Sequence, residues 1–114
     1  MQADLFDSEL AASQELLKKG FLRGAGAICG VVLEKHLAQV AENHNVTTRK
    51  KNPTISDLND LLKQSDVLDT PEWRQIQRLG DIRNLCDHNK DREPTKDEVQ
   101  ELISGVEKFT KTLF

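Results

Sequence analysis

Within the run Arg83-Asn84-Leu85-Cys86-Asp87-His88, a guanidinium, an amide and an imidazole fall in one short stretch of chain. Together they suit phosphoryl chemistry. A guanidinium holds negative charge on phosphate oxygens, an amide orients its neighbours by hydrogen bonding, and an imidazole takes or gives a proton near neutral pH. Applied to RNA, this is cleavage without a metal. His88 would take the 2′-hydroxyl proton or return one to the leaving 5′-oxygen, Arg83 would stabilise the charge growing on the phosphate, and Asn84 would orient His88 or the phosphate. One histidine cannot be base and acid in the same step, so the chemistry calls for two motifs brought together by a homodimer.

The spacing sets a geometric condition. At about 100° per residue from Trp73, Ile76, Leu79, Ile82 and Cys86 form one apolar stripe, and Arg83 lies inside it rather than opposite. An unpaired guanidinium against a core costs several kcal/mol, so a carboxylate or phosphate must meet it, or the stripe opens there onto a cleft. Asn84 and His88 stack one above the other on the adjacent face at i,i+4. On an ideal helix His88 sits about 140° around from Arg83. The helix must therefore end or bend at the motif, or a second copy must contribute. The competing reading is an ordinary helix C-terminus, where Arg and His meet the negative end of the dipole and Asp87 pairs with Arg83 at i,i+4.

The chain that positions these residues has 114 residues and a mass of 12.9 kDa, enough for one domain with one core. Hydrophobic residues make up 37%, charged residues 31% and aromatics 4%, with no Tyr, a composition that favours a leucine-rich helical protein over a sheet. The fold class expected is all-α, an up-and-down bundle of four or five helices over residues 1–114. The net charge of −3 and pI near 5.6 exclude a global positive field that would hold duplex DNA nonspecifically. Cys29 and Cys86 form no Cys-x-x-Cys pair and no long apolar run is present; free thiols, a cytoplasmic location and no membrane association are expected.

Five helices follow from periodicity and caps. The first runs from about Asp4 to Lys19 and stops at Gly20. The second, Phe21 to about Asn43, carries an apolar stripe of Leu22, Ala25, Cys29, Val32, Leu33, His36, Leu37 and Val40. Another face of it holds Arg23, Ala27, Gly30, Glu34 and Ala41; small residues there admit a close neighbour, and Glu34 becomes the natural carboxylate for an inward-facing Arg83. A polar loop from Asn43 to Pro53 precedes a third helix, capped by Thr54 or Ser56 and running to about Gln64. Thr70-Pro71-Glu72 combines a capping hydroxyl, a proline at the first helical position and an acid in the first turn, and opens the motif helix over about 70–88. After a turn at 89–94, the capping box Thr95-Lys96-Asp97-Glu98 opens the last helix, through Val99, Leu102, Ile103, Val106 and Phe109.

Arginine followed at once by a polar residue, with histidine just over one turn later near a helix end, resembles the HEPN superfamily (higher eukaryotes and prokaryotes nucleotide-binding domains). Gly20-Phe21-Leu22-Arg23-Gly24-Ala25, with Leu33-Glu34-Lys35-His36-Leu37 further on, looks like the second helix of bacterial HEPN proteins, and Glu93-Pro94-Thr95 running into Val106-Glu107-Lys108-Phe109 looks like the closing helix. The similarity covers about residues 20–114; its specific element is the motif from Arg83-Asn84 to His88. The resemblance implies a HEPN-like bundle and a dimeric, metal-independent endoribonuclease in a toxin–antitoxin, phage-defence or RNA-processing system. It also implies Arg83 and His88 as catalytic, Asn84 as the polar helper and Glu34 as the supporting acid. Some toxin members carry a tyrosine two residues after the histidine; this chain has Lys90 there, which speaks against regulation by tyrosine modification.

Other candidates are weaker. Arg49, Lys50, Lys51 and Lys90 could contact an RNA backbone, although loop charges are ordinarily just solvated. Trp73 could stack on a base, although an indole near a helix start more often anchors packing. Cys86 and His88 with Cys29, His36 or His44 lack metal-finger spacing, so no metal and no cofactor is expected. His36 lies on an apolar stripe and reads as a satisfied core or interface histidine. The leading expectation is a HEPN-like dimeric endoribonuclease of single-stranded RNA, with an antitoxin or larger defence protein as a further partner. The rivals are a noncatalytic HEPN-like module that dimerises, binds a nucleotide or phosphate, or docks a larger protein, and an acidic helical interaction protein in which Arg83 simply pairs with Asp87 or Glu34.

Overall fold

The computed structural model describes residues 6–88 and 92–114. They form five helices, α1 (Asp7–Lys18), α2 (Leu22–Asn43), α3 (Ile55–Gln64), α4 (Thr70–Asp87) and α5 (Lys96–Thr112), with no strand among the described residues. The all-α expectation and all five helices stand; α1 is described from Asp7, and the expected start near Asp4 and the first half of the turn expected at 89–94 lie outside the described residues. No helix among them is long and apolar enough to cross a membrane.

Three helix starts are fixed by capping boxes. Thr54 Oγ1 accepts from Asp57 N while Asp57 accepts from Thr54 N, which settles α3 in favour of Thr54 over Ser56. Thr95 and Glu98 do the same for α5. At α4 the expected Thr70 cap is corrected by one residue. Asp69 accepts from Glu72 N at 2.8 Å and Glu72 accepts from Asp69 N at 2.9 Å. Trp73 N, the donor a Thr70 cap would need, is already bonded to the Asp69 carbonyl. Thr70 and Pro71 are thus the first two helical residues.

Helix α2 packs against each of the others, and α3 sits against α2 and α4. The predicted stripes are the core: Ala25, Cys29, Val32, Leu33, Leu37 and Val40 of α2 meet Ile76, Leu79, Ile82 and Cys86 of α4 and Val99, Leu102, Ile103, Val106 and Phe109 of α5. Glycines without a side chain set how closely the helices approach. A Cβ at Gly105 would stand 2.7 Å from Leu79 Cδ1, and one at Gly26 would collide with Cys86 Sγ. Both contacts need a hydrogen in place of a methyl.

His36 is fully buried, with Nε2 at 2.7 Å from the Leu113 carbonyl and Nδ1 unpartnered. It is a core histidine as expected, satisfied on one nitrogen. Burial holds its pKa below the ordinary imidazole value, against the pull of the Leu113 and Phe109 carbonyls. Burial likewise pushes the Cys29 and Cys86 thiols up to about 11, so both are free and poorly nucleophilic at neutral pH.

Candidate active site

Helix α4 ends at Asp87, and His88 leaves it in extended backbone geometry (φ −120°, ψ 132°). This resolves the angular difficulty of a straight helix. Because the chain turns away at His88, its ring is freed from the ideal helical direction, and Arg83, Asn84 and His88 all line one groove of about 420 Å³ between α3 and α4. Asn84 and His88 are exposed, whereas the Arg83 side chain is only 19% accessible.

Arg83 sits where the apolar stripe predicted it, and carboxylates meet it. Its Nη2 donates to Glu34 Oε2 at 3.2 Å and its Nη1 to Asp87 Oδ2 at 3.1 Å. Glu34 and Asp87 are therefore both brought to the motif, one from α2 and one from the next turn of α4. The arginine stem lies directly on Gly30, whose missing Cβ would stand 2.5 Å from Arg83 Cγ. The small face of α2 thus has a specific use: Gly30 provides the floor on which the guanidinium is laid toward Glu34.

A residue that the sequence reading placed only on that small face holds the end of the motif. Arg23 Nη1 donates to the carbonyls of Leu85, Cys86 and His88 at 2.9, 3.0 and 3.3 Å. These are orphan acceptors at a helix C-terminus with no basic residue in its own last turn. The rest of the guanidinium forms a fork with Glu93, Nε to Oε2 and Nη2 to Oε1, each 2.9 Å. That hydrogen bond raises the Arg23 pKa and lowers that of Glu93. Arg23 positions His88 by fixing the backbone that carries it.

The opposite wall of the groove comes from α3, with Thr54, Ser56, Asn59 and Asp60 facing Trp73, Gln77, Gly80 and Asp81 of α4. None of the residues of this wall was a sequence candidate for this role; Thr54 and Ser56 were weighed only as caps. A signal was present: Asn59 shares the stripe of Ile55, Leu58 and Leu62 at helical spacing. Trp73 both packs on the core and lines the groove, its Nε1 donating to Asp60 Oδ1 at 2.9 Å.

The basic loop is less concentrated than its sequence suggests. Arg49, Lys50 and Lys51 are exposed, and Lys50 Nζ is held by Asp57 Oδ1 at 2.7 Å. Lys51 lines a shallow depression with Glu34, apart from the groove that holds the motif. Lys90 lies outside the described residues. Among those described, no three of His, Cys, Asp and Glu gather as metal ligands; His44 Nε2 contacts the Phe114 carbonyl instead. No protein-family model, no curated protein and no solved structure matches this chain.

Proposed function

We propose that this chain is a HEPN-type, metal-independent endoribonuclease of single-stranded RNA that works as a homodimer, in the cytoplasm, within a toxin or phage-defence system. The observation that carries the reading is the convergence of Arg83, Asn84 and His88 on one groove at a helix end. In the reaction the 2′-oxygen bonds to phosphorus and the bond from phosphorus to the 5′-oxygen breaks, leaving a 2′,3′-cyclic phosphate and a 5′-hydroxyl. His88 of one copy takes the 2′-hydroxyl proton, and His88 of a second copy gives a proton to the departing 5′-oxygen. Arg83 meets the charge on the nonbridging oxygens. Asp87, on the same helix as Arg83, yields to the phosphate, while Glu34 of α2 keeps the guanidinium in place. The antitoxin or larger defence protein of this reading would be a further partner.

A noncatalytic HEPN-like module is the second reading, and one observation favours it: both terminal nitrogens of Arg83 are already engaged by carboxylates. The two readings separate in one assay. Purified protein incubated with single-stranded RNA in EDTA should cleave it to cyclic-phosphate ends, and Arg83→Ala and His88→Ala should each abolish cleavage while keeping the helical spectrum. Cleavage that persists in both variants sinks the ribonuclease reading. A folded dimer without activity favours the module.

A further inference from the structure

Beyond the motif, the α3–α4 groove holds a polar group with an unmet need. Asn59 is 2% exposed, and its Nδ2 donates to the Trp73 carbonyl at 2.9 Å. That bond fixes the orientation of the amide, because only the NH2 side can face a carbonyl. Oδ1 is left buried with no partner. A buried acceptor without a donor is destabilising unless something supplies one. Asn59 lines the groove together with two further acceptors, Asp60, with one oxygen taken by the indole N–H, and Asp81. Trp73 is held in place by that indole bond, and Gly80 leaves the neighbouring wall without a side chain.

An indole, a glycine wall and several acceptors lining one groove fit a flat ring with donors along one edge. A groove of about 420 Å³ lies within the size range of small-molecule sites. Of the RNA bases, guanine offers two donors side by side, N1–H and the N2 amino group. Uracil offers one N–H flanked by two carbonyls, which these acceptors repel. The distance along α4 says which base. From Trp73 to Asn84 the helix rises by about 16 Å at about 1.5 Å per residue, so a base on Trp73 belongs to a nucleotide further along the strand than those joined by the phosphate at Arg83.

We propose that Trp73, Asn59 and Asp60 form a recognition subsite for a guanine base in single-stranded RNA, displaced from the phosphate held at Arg83 and His88. The subsite rests on the ribonuclease reading for its ligand, but its binding can be measured without cleavage. Trp73 is the one tryptophan in the chain, so its emission reports stacking directly. The probes are two 2′-O-methyl dodecamers, one all uridine and one with a single central guanosine; neither has a 2′-hydroxyl to attack. The guanosine oligomer should quench Trp73 with a midpoint at least about tenfold lower in concentration, toward the low end of what a two-donor base contact discriminates. Asn59→Ala should bring the two midpoints together. So should Asp60→Asn, an exposed change that keeps an oxygen for the indole and replaces the second acceptor by a donor.

Equal midpoints in the wild type, no change in Trp73 emission at saturation, or a guanosine preference that survives both substitutions overturns the subsite. Equal midpoints in a protein that still cleaves RNA through Arg83 and His88 remove the base site alone. A guanosine preference in a protein without nuclease activity removes the nuclease reading alone.

Discussion

Gly30→Ala separates the seating of Arg83 from the stability of the fold. The new Cβ would stand 2.5 Å from Arg83 Cγ, 3.1 Å from Cδ and 3.2 Å from Nε. The stem of the arginine, not only its tip, must then move. Two effects on stability oppose each other. Alanine favours a helix interior over glycine by about 1 kcal/mol, while forcing a methyl into a packed contact costs about 1–3 kcal/mol. The net is a loss of about 0–2 kcal/mol, which in a domain of this size lowers Tm by at most about 8 °C. Activity has no such offset. A displacement of about 1 Å at a group that must meet a phosphate costs about 10²-fold, so RNA cleavage should fall by about that factor in a protein that remains folded at assay temperature. Repeating the substitution in Arg83→Ala supplies the control. With the side chain gone, the methyl meets no stem and Gly30→Ala should stabilise by about 1 kcal/mol, read as a rise in Tm by differential scanning fluorimetry. An equal Tm change in both backgrounds would refute the packing of Arg83 on Gly30, since a clash between two residues must appear as a coupling term. Unchanged cleavage by the single variant would refute the link between that seat and activity.

Two further outcomes test other parts of the structure. Arg23→Ala removes the donor shared by the Leu85, Cys86 and His88 carbonyls; amide exchange over the last turn of α4 should quicken and cleavage should fall while the rest of the helical signal persists, and unaltered exchange there would contradict the capping role. The hydrogen bond from Arg92 lowers the Glu98 pKa from its ordinary 4.5 to about 2, so the stability it contributes is complete above 4.5 and is lost as pH falls toward 2. Glu98→Gln should flatten that acid limb in urea titrations taken across the window, and an unchanged pH slope would show that the pair does not contribute.

How much of this is legible in the sequence depends on how far apart the partners lie along the chain. Caps act over three residues, so Thr54 with Asp57 and Thr95 with Glu98 can be read directly, and α4 misleads by one residue only because Asp69 and Thr70 both have capping side chains. The pairing of Arg83 with Glu34 spans much more chain, yet it is legible because an arginine in an apolar stripe demands an acid and a small-residue helix face offers one. Arg23 is different. Its acceptors are backbone carbonyls more than sixty residues away, and a carbonyl carries no sequence signature, so no local window marks the arginine as a cap. The groove is only half legible for the same reason. The α4 wall contains the motif, whereas the α3 wall exists because two helices meet there, and its best clue, Asn59 among Ile55, Leu58 and Leu62, shows its meaning only with Trp73 opposite.

The glycines under α4 act together as a key acts on a shaft. Leu79 is seated over Gly105, Arg83 over Gly30 and Cys86 over Gly26, on successive turns. A helix held by three such seats cannot rotate about its own axis or slide along it without driving a side chain into a neighbouring backbone. The aim of Asn84 and His88 is therefore indexed by those seats. Residues that never face a ligand determine the direction of those that do, and a methyl group added at any one of the three glycines would turn the working face as surely as a change made upon it.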